Sequence, residues 1–99
     1  MTEQPSIDEA VRELAIAVVA ERASALAAAG LRTTVEVEKW TKGNTLNSEL
    51  RVAFWRRDAF IDIIEDFITR DGVAAASLAE FKHWLEHSID AIVEENRQE

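Results

Sequence analysis

Residues 83–87 read His-Trp-Leu-Glu-His, which fits the H-x-x-E-H pattern that some zinc hydrolases use. Histidines four apart on one helix face can share a metal ion, and a glutamate beside them can move protons. The pattern puts His83, Glu86 and His87 forward as a minimal metal-dependent hydrolase. A catalytic zinc also needs a third protein ligand and a cleft that excludes water. Only twelve residues follow His87, most of them on the same helix, and Asp90 lies two turns from His83. That is too far along the axis to close a compact tetrahedron. On a helical wheel His83 and His87 also fall opposite the apolar stripe Leu78, Phe81, Leu85, Ile89 and Ile92. Solvated surface histidines with no metal are therefore expected, and the hydrolase stays a distant alternative.

Other catalytic signals are missing. The chain has no cysteine, so it has no disulfide framework, no thiolate metal site and no cysteine nucleophile. There is no tyrosine, no G-x-S-x-G and no glycine-rich phosphate loop, with only three glycines in all. Carboxylates are numerous, but nothing in the sequence marks two of them as buried together. The expectation is a non-enzyme with no cofactor.

Charge is the more informative pattern. The 99 residues carry a net charge of −8, unevenly spread. Residues 1–30 have five acids and two bases, residues 31–57 have three acids and six bases, and residues 58–99 have eleven acids and three bases. In the basic middle, Trp40 and Trp55 lie among Arg32, Lys39, Lys42, Arg51, Arg56 and Arg57. Bases interleaved with aromatics can track phosphates and stack nucleobases. A chain this acidic repels a polyanion, so nucleic acid is not the expected partner. Tryptophans on a sheet face are more often core or interface, with arginine stems laid across the rings. Two protein partners follow. One is a second copy, meeting through Trp40, Trp55, Arg51, Phe60, Ile64 and Ile68. The other is a basic protein held by Asp62, Glu65, Asp66, Asp90, Glu94 and Glu95, in the manner of an immunity protein, an antitoxin or a nucleic-acid mimic.

These residues need elements to position them. Ser6 and Glu9 form the S-x-x-E capping box, with Pro5 just outside it, and Gly30 is the stop signal. Between them Ile7, Val11, Leu14, Val18 and Ala25 recur at helical spacing, and nine alanines between Ala10 and Ala29 allow close packing. The spacing predicts one helix of roughly 34 Å at 1.5 Å per residue. Residues 31–40 then alternate Val35 and Val37 with Glu36 and Glu38, a half-buried strand. Lys42-Gly43-Asn44 marks a turn, with residues 45–48 read as more loop. Residues 48–56 put Leu50, Val52 and Phe54 on one face and Arg51, Ala53 and Trp55 on the other.

Residues 58–72 are ambiguous. Phe60, Ile61, Ile63, Ile64, Phe67 and Ile68 share one arc at helical spacing, which suits an amphipathic helix. As a strand the segment is apolar on both sides, Ile61, Ile63 and Phe67 against Phe60, Ile64 and Ile68. A lone hairpin is marginal and three strands are the usual minimum, which favours the strand. Residues 71–76 read as a linker, and Ser77 with Glu80 caps a last helix to about Glu95.

The expected fold is a small two-layer α+β domain in the order α-β-β-β-α, with a three-stranded antiparallel meander. The alternative order is α-β-β-α-α. One domain spans 1–99, with residues 1–5 and 96–99 frayed. Its expected role is a non-catalytic protein-binding module, homodimeric through the sheet face and its tryptophans. The alternative is the acidic inhibitor of a basic partner. No basic residue precedes the first apolar run, and the longest such run, Leu14 to Ala20, falls well short of the ~20 residues a membrane helix needs. A cytoplasmic chain is therefore expected, or one exported without an N-terminal signal.

Overall fold

The computed structural model describes residues 6–97. Helix α1 (Ile7–Glu21) and the short α2 (Ala23–Ala28) lead into strands β1 (Arg32–Lys42), β2 (Thr45–Arg56), β3 (Ala59–Arg70) and β4 (Val73–Ala74), and helix α3 (Leu78–Glu95) closes the chain. The strands form one antiparallel sheet in the order β1-β2-β3-β4. The fold is the α+β meander in which the ambiguous segment forms the third strand, extended by a short fourth strand. No helix among the described residues is long and apolar enough to cross a membrane.

The core forms because β2 alternates. Leu50, Val52 and Phe54 are fully buried on its inner face. Against them lie Val11, Ala15 and Val18 of α1, Phe81, Leu85, Ile89 and Ile92 of α3, and Ile68 of β3, in a single apolar cluster. Each large side chain so buried contributes about 1.5–3 kcal/mol. Both helices cover this one face of the sheet. The opposite face, with Arg51, Ala53 and Trp55, has no second layer among the described residues.

The caps work as their residue types require. Ser6 Oγ accepts from the Glu9 amide at 3.3 Å. At Ser77 the box is complete, with Glu80 N to Ser77 Oγ at 3.2 Å and Ser77 N to a Glu80 carboxylate oxygen at 3.3 Å. Gly30, at φ 71°, ends α2 in a left-handed turn. There the Leu31 amide reaches the Leu26 carbonyl and the Gly30 amide reaches that of Ala27, which satisfies two terminal acceptors.

Four local expectations are corrected. The first helix is not continuous, because Arg22 leaves helical geometry at φ −105°, ψ 13°. The buried stripe is Val11, Ala15, Val18, Leu26 and Ala29, and Ala25 faces solvent. Residues 45–48 are strand, since Lys42 pairs with Thr45 across a tight Gly43-Asn44 turn. Residues 71–76 are no simple linker, because Asp71 (φ 53°) and Gly72 (φ 81°) turn β3 into β4. Asp-Gly is the dipeptide that a two-residue hairpin with two positive φ angles prefers.

The faces of β3 also differ from simple alternation. The register slips between Phe54 and Trp55 and again between Ser48 and Glu49. Each slip leaves an extra residue on β3, a bulge that switches which residues share a face. Phe60 therefore sits on the outer face opposite Trp55, together with Ile63 and Phe67. Ile61, Ile64 and Ile68 turn toward the core. At the C-terminus, Asn96 is tied to the Ile92 and Val93 carbonyls, while residues 1–5, 98 and 99 lie outside the described residues.

Phe54→Ala should cost about 3–5 kcal/mol. Phe60→Ala should cost about 1 kcal/mol, the value of its edge contact with Trp55. Urea denaturation of both variants checks this, and similar losses would contradict the assignment of faces.

Candidate functional site

The outer sheet face gathers most of the residues that could bind. At one end the Trp55 and Phe60 rings meet edge-on, with centroids 5.5 Å apart. The Arg32 guanidinium lies 5.5 Å from the Trp55 ring, and the Trp55 indole N–H donates to Thr34 Oγ1 at 3.3 Å. At the other end Trp40 and Phe67 are 6.0 Å apart, with the Arg70 guanidinium 5.2 Å from Phe67. Both ends have the same parts, two aromatic rings and one arginine laid over a ring. Phe60 is 55% exposed and Trp40 36%.

Between the two ends sits Arg51. It pairs with Glu38 at 2.6 Å, Glu49 at 3.0 Å and Glu65 at 3.2 Å, and Glu36 lies opposite it in the register. The hydrogen bond to Glu49, followed by the charges of Glu38, Glu49 and Glu65, raises the Arg51 pKa against a desolvation cost. The Glu65 carboxyl is held above its ordinary value, first by a hydrogen bond with Glu49, then by desolvation and the Glu49 charge, with Arg51 pulling the other way. One arginine does not neutralise the carboxylates around it, so the middle of this face is acidic.

The structure thus brings together Trp40, Trp55, Arg51 and Phe60 of the expected interface. Ile68 is fully buried and Ile64 packs on the core, so neither belongs to this surface. The six expected acidic residues do not form one face. Glu65 is on the outer sheet face, Asp62 and Asp66 are on β3, and Asp90, Glu94 and Glu95 follow α3. Asp62 accepts from the Ile63 amide at 2.8 Å and Asp66 from the Phe67 amide at 2.9 Å. In this register those two amides point away from β2, so the carboxylates cover the free edge of β3.

The histidine pair lies on the exposed side of α3, with ring centroids 4.3 Å apart, in a shallow groove with Ala79, Glu80, Trp84 and Ser88. Among the described residues no three His, Cys, Asp or Glu side chains are grouped to hold a metal. Glu86, the glutamate of the motif, is engaged by Arg22 at 3.4 Å.

Sequence reasoning missed two polar anchors. Arg22 sits at the break between α1 and α2 and ties it to α3 through Asp90 at 2.8 Å and Glu86 at 3.4 Å. Its pKa is raised, chiefly by the hydrogen bond to Asp90. The signal was a single arginine in line with Val18 and Leu26. The second is Asp8, buried near the N-terminus of α1, which accepts from Ser48 Oγ and pairs with Lys39 at 3.6 Å. The pairing spans forty positions of sequence and leaves no local trace.

Comparison with known proteins found no matching family model, no matching curated protein and no matching solved structure.

Ser48→Ala should cost about 1–3 kcal/mol, because it leaves buried Asp8 without one of its donors. A chemical melt near neutral pH checks this, and no loss would mean water replaces the hydroxyl. Glu65 supplies a pH test. Its folded-state carboxyl holds a proton to higher pH than the unfolded one. That favours folding below the unfolded-state value, and the contribution is lost as pH rises through the folded-state value. Glu65→Gln should therefore gain more over the parent at about pH 7 than at about pH 4 in thermal melts. The reverse order would contradict the assignment.

Proposed function

We propose that the chain is a non-catalytic protein-binding module that works through the outer face of its sheet. The observation behind this reading is the pattern on that face, an acidic centre between two exposed aromatic clusters. Carboxylates next to aromatic rings suit a cation. A lysine or arginine can lie over a tryptophan while it pairs with a glutamate.

The same pattern bears on the choice of partner. Two copies meeting face to face would set Glu36, Glu38, Glu49 and Glu65 against their own duplicates. Like charges opposed across an interface cost several kcal/mol. A basic partner instead supplies the charge that Arg51 leaves unbalanced. The overall charge of −8 steers such a partner toward the domain. The acidic-inhibitor reading therefore gains support, with its contact surface on the sheet and its acidic helix α3 adding to the long-range field.

Titration of the 15N-labelled chain with an arginine decapeptide tests this. The indole N–H signals of Trp40 and Trp55 should shift, and a glutamate decapeptide should leave them in place. Glu38→Lys with Glu65→Lys should weaken binding by about tenfold or more, since each lost charge-assisted contact is worth ~1.5–3 kcal/mol. Reversal of Glu94 and Glu95 should weaken it far less. The opposite order would move the binding surface to α3.

A further inference from the structure

The two long edges of the sheet are treated differently. On β3, Asp62 and Asp66 cover the outward amides of Ile63 and Phe67, and β4 pairs with Thr69 and Arg70. That edge is blocked at two of its outward amides and paired at its C-terminal end, with the outward Glu65 backbone lying between the two covered positions. On β1 the tight turn makes Lys42 and Thr45 a hydrogen-bonded pair. Alternation then turns the N–H and C=O groups of Thr33, Val35 and Val37 away from β2. No side chain among the described residues covers them as Asp62 and Asp66 cover β3. Uncovered edge strands are where another strand adds.

We infer that β1 pairs with β1 of a second copy, antiparallel about a two-fold axis through Val35, to form one continuous sheet across the dimer. The charges select both the occupant and the register. A two-fold axis normal to the sheet keeps every residue on its own face, so only residues of equal parity can meet. With Val35 opposite its own copy, Thr33 meets Val37, Thr34 meets Glu36 and Arg32 meets Glu38. Both ends then carry an ion pair on the outer face, and the centre carries an apolar pair on the inner face. The other registers that pair as long a stretch each place like charges opposite one another. Centring on Glu36 opposes Glu36 to itself, centring on Val37 opposes Glu36 to Glu38, centring on Glu38 opposes Glu38 to itself, and centring on Lys39 opposes two lysines. The Arg32 and Glu38 side chains are both exposed, although each already has contacts within the chain, Arg32 with the Arg57 carbonyl and Glu38 with Arg51, that a partner would have to share. Arg32 lies at the surface beside Trp55, and the Glu38 side chain is 51% exposed.

The inference goes beyond the face-binding reading and does not rest on it. Pairing through the edge leaves the outer face open and doubles it, so that a dimer presents two acidic centres in one sheet.

Sedimentation velocity across a concentration series tests the pairing. The parent should be a dimer that weakens as salt rises. R32E and E38R, each alone, oppose like charges at both ends, and dimerisation should weaken on the order of a hundredfold. Mixed together, R32E and E38R restore an opposite pair at each end and should recover a heterodimer. Thr33→Pro, which removes an amide that makes no bond within the chain, should also weaken the dimer while circular dichroism keeps the parent spectrum. A parent that stays monomeric would overturn the pairing and leave the face-binding reading standing. So would R32E and E38R variants that dimerise like the parent, or whose mixture gains nothing. A dimer dissolved by Trp40→Ala and indifferent to R32E would also overturn it, and would place self-association on the sheet face.

Discussion

The structure depends on the alternation of β2. Because Leu50, Val52 and Phe54 all point one way, both long helices must gather on that side of the sheet. A small domain buries about two thirds of its unfolded surface at best, and among the described residues no further element covers the other side. The other side, which β2 lines with Arg51, Ala53 and Trp55, is therefore left open. The proposed binding face follows from that one-sided burial. The open face is where side chains can be chosen for a partner and not for packing.

What occupies the open face also limits it. Rings at its two ends are held against one another, edge to face or tilted, and one at each end lies under an arginine, so they reach water already ordered. Ordered side chains lose little entropy on binding. The carboxylates between them crowd one arginine, and the raised Glu65 pKa records that crowding. A cation relieves it and a second copy of the same face adds to it. The face is thus suited to one sign of partner.

Edges pose a separate problem from faces. A meander always ends in two strands with unpaired backbone, and exposed backbone recruits other strands. Along β3 the chain answers with aspartates that fold back onto their neighbouring amides. Along β1 the placement of Arg32, Glu36, Glu38 and Lys39 opposes like charges in every long antiparallel self-register but the one centred on Val35. The asymmetry between the two edges is a feature of side-chain placement that no count of acids and bases displays.

The sequence by itself determined the capped helix starts, the β1–β2 hairpin, the face pattern of β2 and the uneven charge, because each rests on neighbours within a turn or a strand repeat. Ser77-x-x-Glu80 and Leu50-x-Val52-x-Phe54 are local statements. Residues 58–72 were ambiguous for the same reason, since their apolar spacing fits a helix arc and a two-faced strand equally. Only pairing with β2 decides between them. The Asp71-Gly72 turn is a local statement as well, since Asp-Gly favours two successive positive φ angles. Tertiary structure alone decided the rest. The bulges that exchange Phe60 for Ile61 depend on register with a partner strand. Asp8 meets Ser48, and Arg22 meets Asp90, across distances in sequence where no periodicity operates. The motif that looked most like chemistry, His83 to His87, is the instructive case. Its spacing is a property of any helix, whereas a metal site needs a third ligand from elsewhere in space, and in space Glu86 is held by Arg22.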